Sequence, residues 1–186
     1  MLDAKTPGRR GVEGKQSKHD RFRLSMNIHT ATPTDLPEIL VLLRSSDLPV
    51  AGIERHIATT LVARDSGSLV GCAAVEIYAA AGLLRSVAVA ENRRGDGLGQ
   101  RLTAAALELA RRRGVCDIYL LTTTAANFFP RFGFVPIPRD QLDPALGQSE
   151  ELRGACPASA VAMRANLSTS SPSSRQSSAP PPAPRR

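Results

Sequence analysis

Tryptophan is absent from the sequence, and the aromatic complement stops at two tyrosines and five phenylalanines. Any core must therefore be aliphatic, and 42% hydrophobic residues in a chain of 186 suffice for one domain of ordinary size. Cysteine is scarce as well: Cys72, Cys116 and Cys156 lie far apart with no Cys-x-x-Cys pair. This spacing excludes a disulfide framework and a zinc site, no metal site is expected, and the thiols suit a reducing cytoplasm. No apolar run reaches the roughly eighteen residues of a membrane-crossing helix. Residues 1–25 carry charges where a secretion signal needs an apolar stretch. The reading is of a soluble, non-secreted, cytoplasmic protein without a membrane partner.

A one-sided charge distribution is also missing. The formal net charge of +7 resides at the ends: residues 1–25 hold seven Lys/Arg against three Asp/Glu, and the tail adds Arg175, Arg185 and Arg186. The stretch between is neutral. A neutral body lacks the single basic face that binding to a phosphate backbone requires, which argues against nucleic acid as a partner.

Composition divides the chain into three. Residues 1–25 are rich in Lys, Arg, Gly and Ser and cannot repay their ordering entropy, so a disordered basic leader is expected there. Residues 167–186 form a Ser/Pro-rich tail of the kind that stays extended and solvated. The folded domain is expected over 26–166. Within it, Met26–Ala31 reads as a strand, and Thr34-Asp-Leu-Pro starts a helix with Leu36, Ile39, Leu40 and Leu43 on one face. A short helix is expected around Val50–Ile57. Thr59–Arg64 and Ser68–Ile77 read as a hairpin across Asp65-Ser-Gly67, and Gly82–Ala90 as a central strand covered on both faces. Leu98–Arg113 is an amphipathic helix with a cationic last turn and Gly114 as its stop. Asp117–Thr122 reads as a buried strand, Ala125–Arg131 as a short helix, Phe134-Val135 as a strand start and Ala158–Met163 as the last strand. Strands first, then alternating strand and helix, predict an α+β layered sheet with at least one parallel pair.

The chemistry concentrates in Val87-Ala-Val-Ala-Glu-Asn-Arg-Arg-Gly-Asp-Gly-Leu-Gly-Gln100, which runs from the central strand through a glycine-rich turn into a helix. Gly95, Gly97 and Gly99 carry no Cβ to block a ligand from the amides. A helix N-terminus with free N–H groups and a positive dipole end is an anion site, and Arg93 and Arg94 add charge beside it. The inference is a pyrophosphate cradle. Glycines at every second position fit neither the dinucleotide fingerprint G-x-G-x-x-G nor the Walker pattern, which needs G-K-S/T.

Arg94-Gly-Asp-Gly-Leu-Gly99 resembles the R/Q-x-x-G-x-G/A motif of the GNAT superfamily of N-acetyltransferases, and Phe128-Phe-Pro-Arg-Phe-Gly-Phe134 resembles that family's later F-Y-x-x-x-G-F element. In order and spacing the resemblance covers nearly all of residues 26–166. It implies a mixed, mostly antiparallel sheet of six to seven strands, with splayed central parallel strands and helices on both faces. It also implies acetyl-CoA as the acetyl donor. Val87, Ala88 and Val89 would hold the pantetheine arm and thioester carbonyl, Arg94, Gly95, Asp96, Gly97, Leu98, Gly99 and Gln100 the pyrophosphate, with Asn127 and Phe129 beside them. A backbone N–H near Val87 would then stabilise the developing oxyanion. Where the family commonly places a tyrosine as proton donor this chain has Phe129, whose ring cannot donate, so another group, water or the released thiolate itself must serve.

Arg85 interrupts an apolar strand, and a buried guanidinium needs a partner. It is either a fork for a substrate carboxylate or phosphonate, or the salt-bridge partner of Glu76. Glu76 is the candidate catalytic residue, accepting the substrate ammonium or relaying its proton, and is otherwise a strand-end charge. Thr122 and Thr123 offer hydroxyls to the site or simply β propensity, and Cys156, before Pro157, is a candidate for the substrate pocket. Leu83–Val89, with Leu120–Thr124 and Cys156–Ala160, is similar to bacterial arsinothricin N-acetyltransferases, relatives of phosphinothricin acetyltransferases. That likeness implies a small glutamate-like amino acid as substrate, with Arg85 and Ser86 binding it, and it leaves room for a homodimer. Two other readings stand beside it: acetylation of glutamate or another free amino acid, and a CoA-binding module without turnover.

Overall fold

Side chains alternate along a strand, so a sheet covered on both faces needs apolar residues on both sides of each central strand. The structure, a computed structural model describing residues 27–168, follows this rule. The disorder expected for residues 1–25 and for most of 167–186 lies outside the described residues. Leu167 lies within them, buried, its amide donating to the carbonyl of Cys116 at 2.6 Å.

Seven strands form one sheet: β1 (Ile28–Thr30), β2 (Thr60–Asp65), β3 (Ser68–Tyr78), β4 (Ala81–Val89), β5 (Asp117–Thr122), β6 (Val135–Ile137) and β7 (Val161–Asn166), in the order β1-β2-β3-β4-β5-β7-β6. The β4–β5 pair is parallel and every other pair is antiparallel. Two α-helices cover the faces, α1 (Leu36–Ser45) and α2 (Leu98–Arg112). This is the α+β fold expected. Leu61, Ala63, Ala73, Val75 and Leu84 pack with Leu98, Leu102 and Ala106 of α2. The intervening positions Val62, Cys72 and Ala74 pack with Ile39, Leu42 and Leu43 of α1 and with Ile53 and Ile57. None of the described helices is long and apolar enough to cross a membrane.

Several boundaries differ from the sequence reading, each for a local reason. The helix expected around Val50–Ile57 is a 3-10 turn over Ile53–Thr59, entered from Gly52 at φ +80°. The helix expected over Ala125–Arg131 is a 3-10 turn over Phe129–Phe132. Pro130 removes an amide there and Gly133, at φ +84°, ends the turn. The last strand begins at Val161 rather than Ala158 because the chain first turns at Pro157, whose carbonyl accepts from the amide of Ala160.

One irregularity positions the site. Ala74 pairs with Arg85 and Cys72 with Ala88, so β4 carries one residue more than β3 between the two pairs. That is a β-bulge, and Ser86 sits in it at φ +55°, a conformation uncommon for serine. Without the extra residue Leu84 and Ala88 would share a face; instead Leu84 meets the α2 cluster and Ala88 the α1 cluster.

Candidate functional site

Beyond the bulge, β4 and β5 part. Their parallel pairing joins Ala81–Leu83 to Asp117–Tyr119 and goes no further, although β4 runs on to Val89 and β5 to Thr122. A cavity of about 1040 Å³ opens in the gap. Leu84–Val89 form one wall, Leu120–Ala125 the other, and Arg94, Gly99 and Phe128 stand at one end. Strand edges that separate leave their amides and carbonyls unsatisfied by each other, so an extended polar ligand can take their place.

At that end α2 begins with Gly97 as its N-cap, at φ +77°, without a capping side chain. Its first amides therefore have no side-chain acceptor from the cap. A Cβ placed on Gly95 or Gly97 would meet no atom within 4 Å, so the space over the turn is open. At Gly99 a Cβ would stand 3.6 Å from Val89 and 3.8 Å from Phe128, in ordinary contact. Arg94 folds back with its Nε donating to the carbonyl of Val89 at 3.1 Å, bringing a cation to the join of strand and turn. An uncapped helix start, an open glycine turn and a neighbouring guanidinium fit a diphosphate. Leu98 contributes only backbone, because its side chain is buried in the core. Gly95, Asp96 and Gly97 lie in the same turn and Gln100 in the first turn of α2, all beyond the residues that line the cavity.

Phe129 is buried, edge-on to both Phe128 and Phe134 at 5.1 and 5.7 Å between ring centroids. It still reaches the cavity wall, as do Asn127 and Arg131, the latter lying over the Phe128 ring at 5.0 Å. Thr122 and Thr123 also line it, with the Thr122 hydroxyl accepting from the amide of Ala125 at 3.0 Å.

The opposite end is built around Arg85, whose side chain is fully buried. Its Nη1 donates to Oε1 of Glu76 at 2.5 Å, its Nη2 to the carbonyl of Ala51 at 2.9 Å, and its Nε lies 3.3 Å from the Ser86 hydroxyl and 3.2 Å from Oε1 of Glu151. Of the two arrangements the sequence allowed, Arg85 makes the salt bridge to Glu76 while also reaching the cavity wall. Glu76 itself is 1% exposed and stands behind Arg85, outside the cavity lining. Burial works against its charge, but hydrogen bonds from Tyr78, Arg85 and Ser149 outweigh that and hold its carboxyl below the ordinary range. His56 approaches Glu76 to 3.7 Å, and burial pushes that imidazole below its usual value.

Sequence reasoning missed Glu151, which lines the cavity, is 5% exposed and faces Arg85. Burial pushes its carboxyl up to about 7: Arg85 opposes the rise and Glu76 adds to it. Ser149-Glu-Glu151 lies in a polar stretch without periodicity, and the only signal was a carboxylate pair shortly before Cys156. Cys156 lines the cavity nearby, its thiol raised above the ordinary value by burial first and by Glu151 second. Ser46–Pro49, from the loop after α1, complete the wall and were likewise not anticipated.

Residues 56–136 match the family model described as "Acetyltransferase (GNAT) domain". An amino-acid acetyltransferase of Neisseria meningitidis is 30% identical over 128 residues, covering 63% of this chain and 29% of the relative. Thus the chain spans about three tenths of that relative's length. Among solved structures, N-acetylglutamate synthase from Neisseria gonorrhoeae complexed with coenzyme A and N-acetyl-glutamate superposes with a TM-score of 0.66 at 24% identity, over 77% of this chain and 35% of that one. The same enzyme complexed with coenzyme A and L-arginine gives a TM-score of 0.64 at 26% identity, over 76% and 33%.

Proposed function

We propose, from the premise that residues 56–136 carry a GNAT acetyltransferase domain, that this protein transfers the acetyl group of acetyl-CoA to the α-amino group of a small glutamate-like amino acid. The observation that carries the reading is the gap between β4 and β5, with an open glycine turn and uncapped helix start at one end and a buried charged cluster at the other. Amides of residues 94–100 would take the diphosphate, and Arg94 would add charge beside it. Val87, Ala88 and Val89, on the strand edge left unpaired with β5 beyond Leu83, would hold the pantetheine arm and the thioester carbonyl, with Asn127 and Phe129 beside them. When bound, acetyl-CoA supplies the electrophilic carbonyl carbon that the amine attacks. An amide N–H of the bulged strand would then donate to the oxygen as negative charge develops, where fixed dipoles are most effective.

The acceptor end would be formed by Arg85, Ser86, Thr122, Thr123 and Cys156, which line the cavity, with Glu76 behind them. Two kinds of support point to a glutamate-like acceptor. The Neisseria relatives are an amino-acid acetyltransferase and an N-acetylglutamate synthase, and the phrase Leu83–Val89 resembles enzymes that acetylate arsinate and phosphinate analogues of glutamate. A free-thiol release assay with glutamate, arsinothricin and phosphinothricin tests this. A kcat/KM for one of them well above those for a panel of unrelated amines is expected, and a clear preference for glutamate sinks arsinothricin and phosphinothricin as the substrates. Acetyl-CoA binding without thiol release from any amine favours a non-catalytic module, which the hydrocarbon ring of Phe129 would suit.

A further inference from the structure

Two buried carboxylates, Glu76 and Glu151, flank a single buried guanidinium, Arg85. They are not equivalent. Glu76 takes the shorter contact with Arg85 and hydrogen bonds from Tyr78 and Ser149, and it does not line the cavity. Glu151 has the longer contact, to Nε, and lies on the cavity wall. With Arg85 already neutralised by Glu76, Glu151 is the surplus carboxylate at the acceptor end. A surplus buried anion calls for a cation or a proton.

We infer that Glu151 is the catalytic base for the acceptor: it receives the ammonium group of the incoming amine and takes its proton, while Arg85 fixes the carboxylate in place. This rests on the acetyltransferase reading and names a residue for it. One proton passes from R–NH3+ to the Glu151 carboxylate, leaving R–NH2, and later leaves for solvent. The nitrogen lone pair forms a C–N bond to the acetyl carbon, and the C–S bond breaks with its electron pair on sulfur. The nitrogen then gives its second surplus proton to the thiolate, so the chain need supply no acid at Phe129. A base that titrates near neutrality is matched to such a transfer.

The groups that face Glu151 are Arg85 on β4, Glu76 on β3 with Tyr78 beyond it, His56 on the far side of Glu76, and Cys156 in its own segment. The test is the pH dependence of kcat/KM for the amino acid in the full-length protein. Wild type is expected to lose activity below about pH 7 with a slope of one, and His56→Gln to keep that limb. Glu151→Gln, which keeps a hydrogen-bond acceptor for Arg85, should lower kcat at pH 7 by about 10² to 10³, with the KM for acetyl-CoA unchanged. Its residual rate should climb tenfold per pH unit as the free amine accumulates. Should Glu151→Gln fail to fold, Glu151→Asp and infrared titration of the wild-type carboxyl give the same information, since a buried glutamate titrating near 7 is expected. Wild-type activity without an acidic limb, or a Glu151→Gln profile like wild type, overturns the assignment alone. A wild type that releases no thiol with any amine overturns the acetyltransferase reading and this assignment with it.

Discussion

Arg85 joins three parts of the chain. It leaves β4, meets Glu76 of β3 and Glu151 of the segment before β7, and reaches the carbonyl of Ala51 in the turn after α1. A guanidinium suits this place because its planar fork can serve several acceptors at once and stays charged when buried. Removing one partner of a buried ion pair leaves an uncompensated charge, and here it would leave two carboxylates of like sign. Arg85→Ala is therefore expected to destabilise the fold by about 3–5 kcal/mol at pH 7. Urea denaturation checks this, and the loss should shrink on acidification, as Glu151 protonates first. The sign follows from the raised carboxyl: a folded-state value of about 7 against an ordinary 4.5 means the folded protein binds the extra proton. Stability from that group is full below about 4.5 and is lost as pH rises through 7.

At the scale of elements, β4 with its bulge and α2 with its glycine start act together. The bulge lies where β4 is no longer paired with β5, and the turn from Ala90 to Gly97 leads from the end of that unpaired stretch into the helix start. Glycine is required at residues 95 and 97 by backbone conformation, at φ +92° and +77°. Gly97→Glu adds strain, bulk and negative charge where the diphosphate is proposed to bind. Affinity for acetyl-CoA, measured by calorimetry, should fall by at least 10²-fold, while the melting temperature falls by only the few degrees that a side chain at φ +77° costs, since the space around its Cβ is open. Unchanged affinity would remove the cradle. The paired helix α1 is tied to the sheet differently. Arg64 of β2 donates to Asp35 at 2.7 Å and Glu38 at 2.6 Å, so the entry to α1 is held at the edge of the sheet distant from the gap.

For the whole molecule, the excess positive charge lies outside residues 27–168, where basic and acidic residues balance. A chain trimmed to those residues should keep kcat/KM for acetyl transfer within about twofold of the full chain and unfold in one cooperative step. Steady-state assay and calorimetry check this; a large loss of activity would give the basic ends a role in the reaction.

Much of this was legible in the sequence for a local reason. The helix Leu98–Arg112 declares itself by its apolar stripe, its glycine start and Gly114; the β2–β3 hairpin by alternation around Asp65-Ser-Gly67; and the open turn proposed to bind the diphosphate by three glycines between a strand and a helix. These features depend on residues a few positions apart, so neighbours in sequence carry the signal. What tertiary structure alone decided is long-range. The bulge at Ser86 exists only in register with β3, the gap only because β5 turns away from β4 beyond Leu83, and the side of Arg85 that faces Glu151 only because a segment without periodicity folds back onto the cavity. Local sequence fixed which groups could bind an anion or titrate. Burial, which comes from the packing of distant segments, determined that Glu76 is held ionised by its hydrogen bonds and that the carboxyl of Glu151 on the cavity wall is raised.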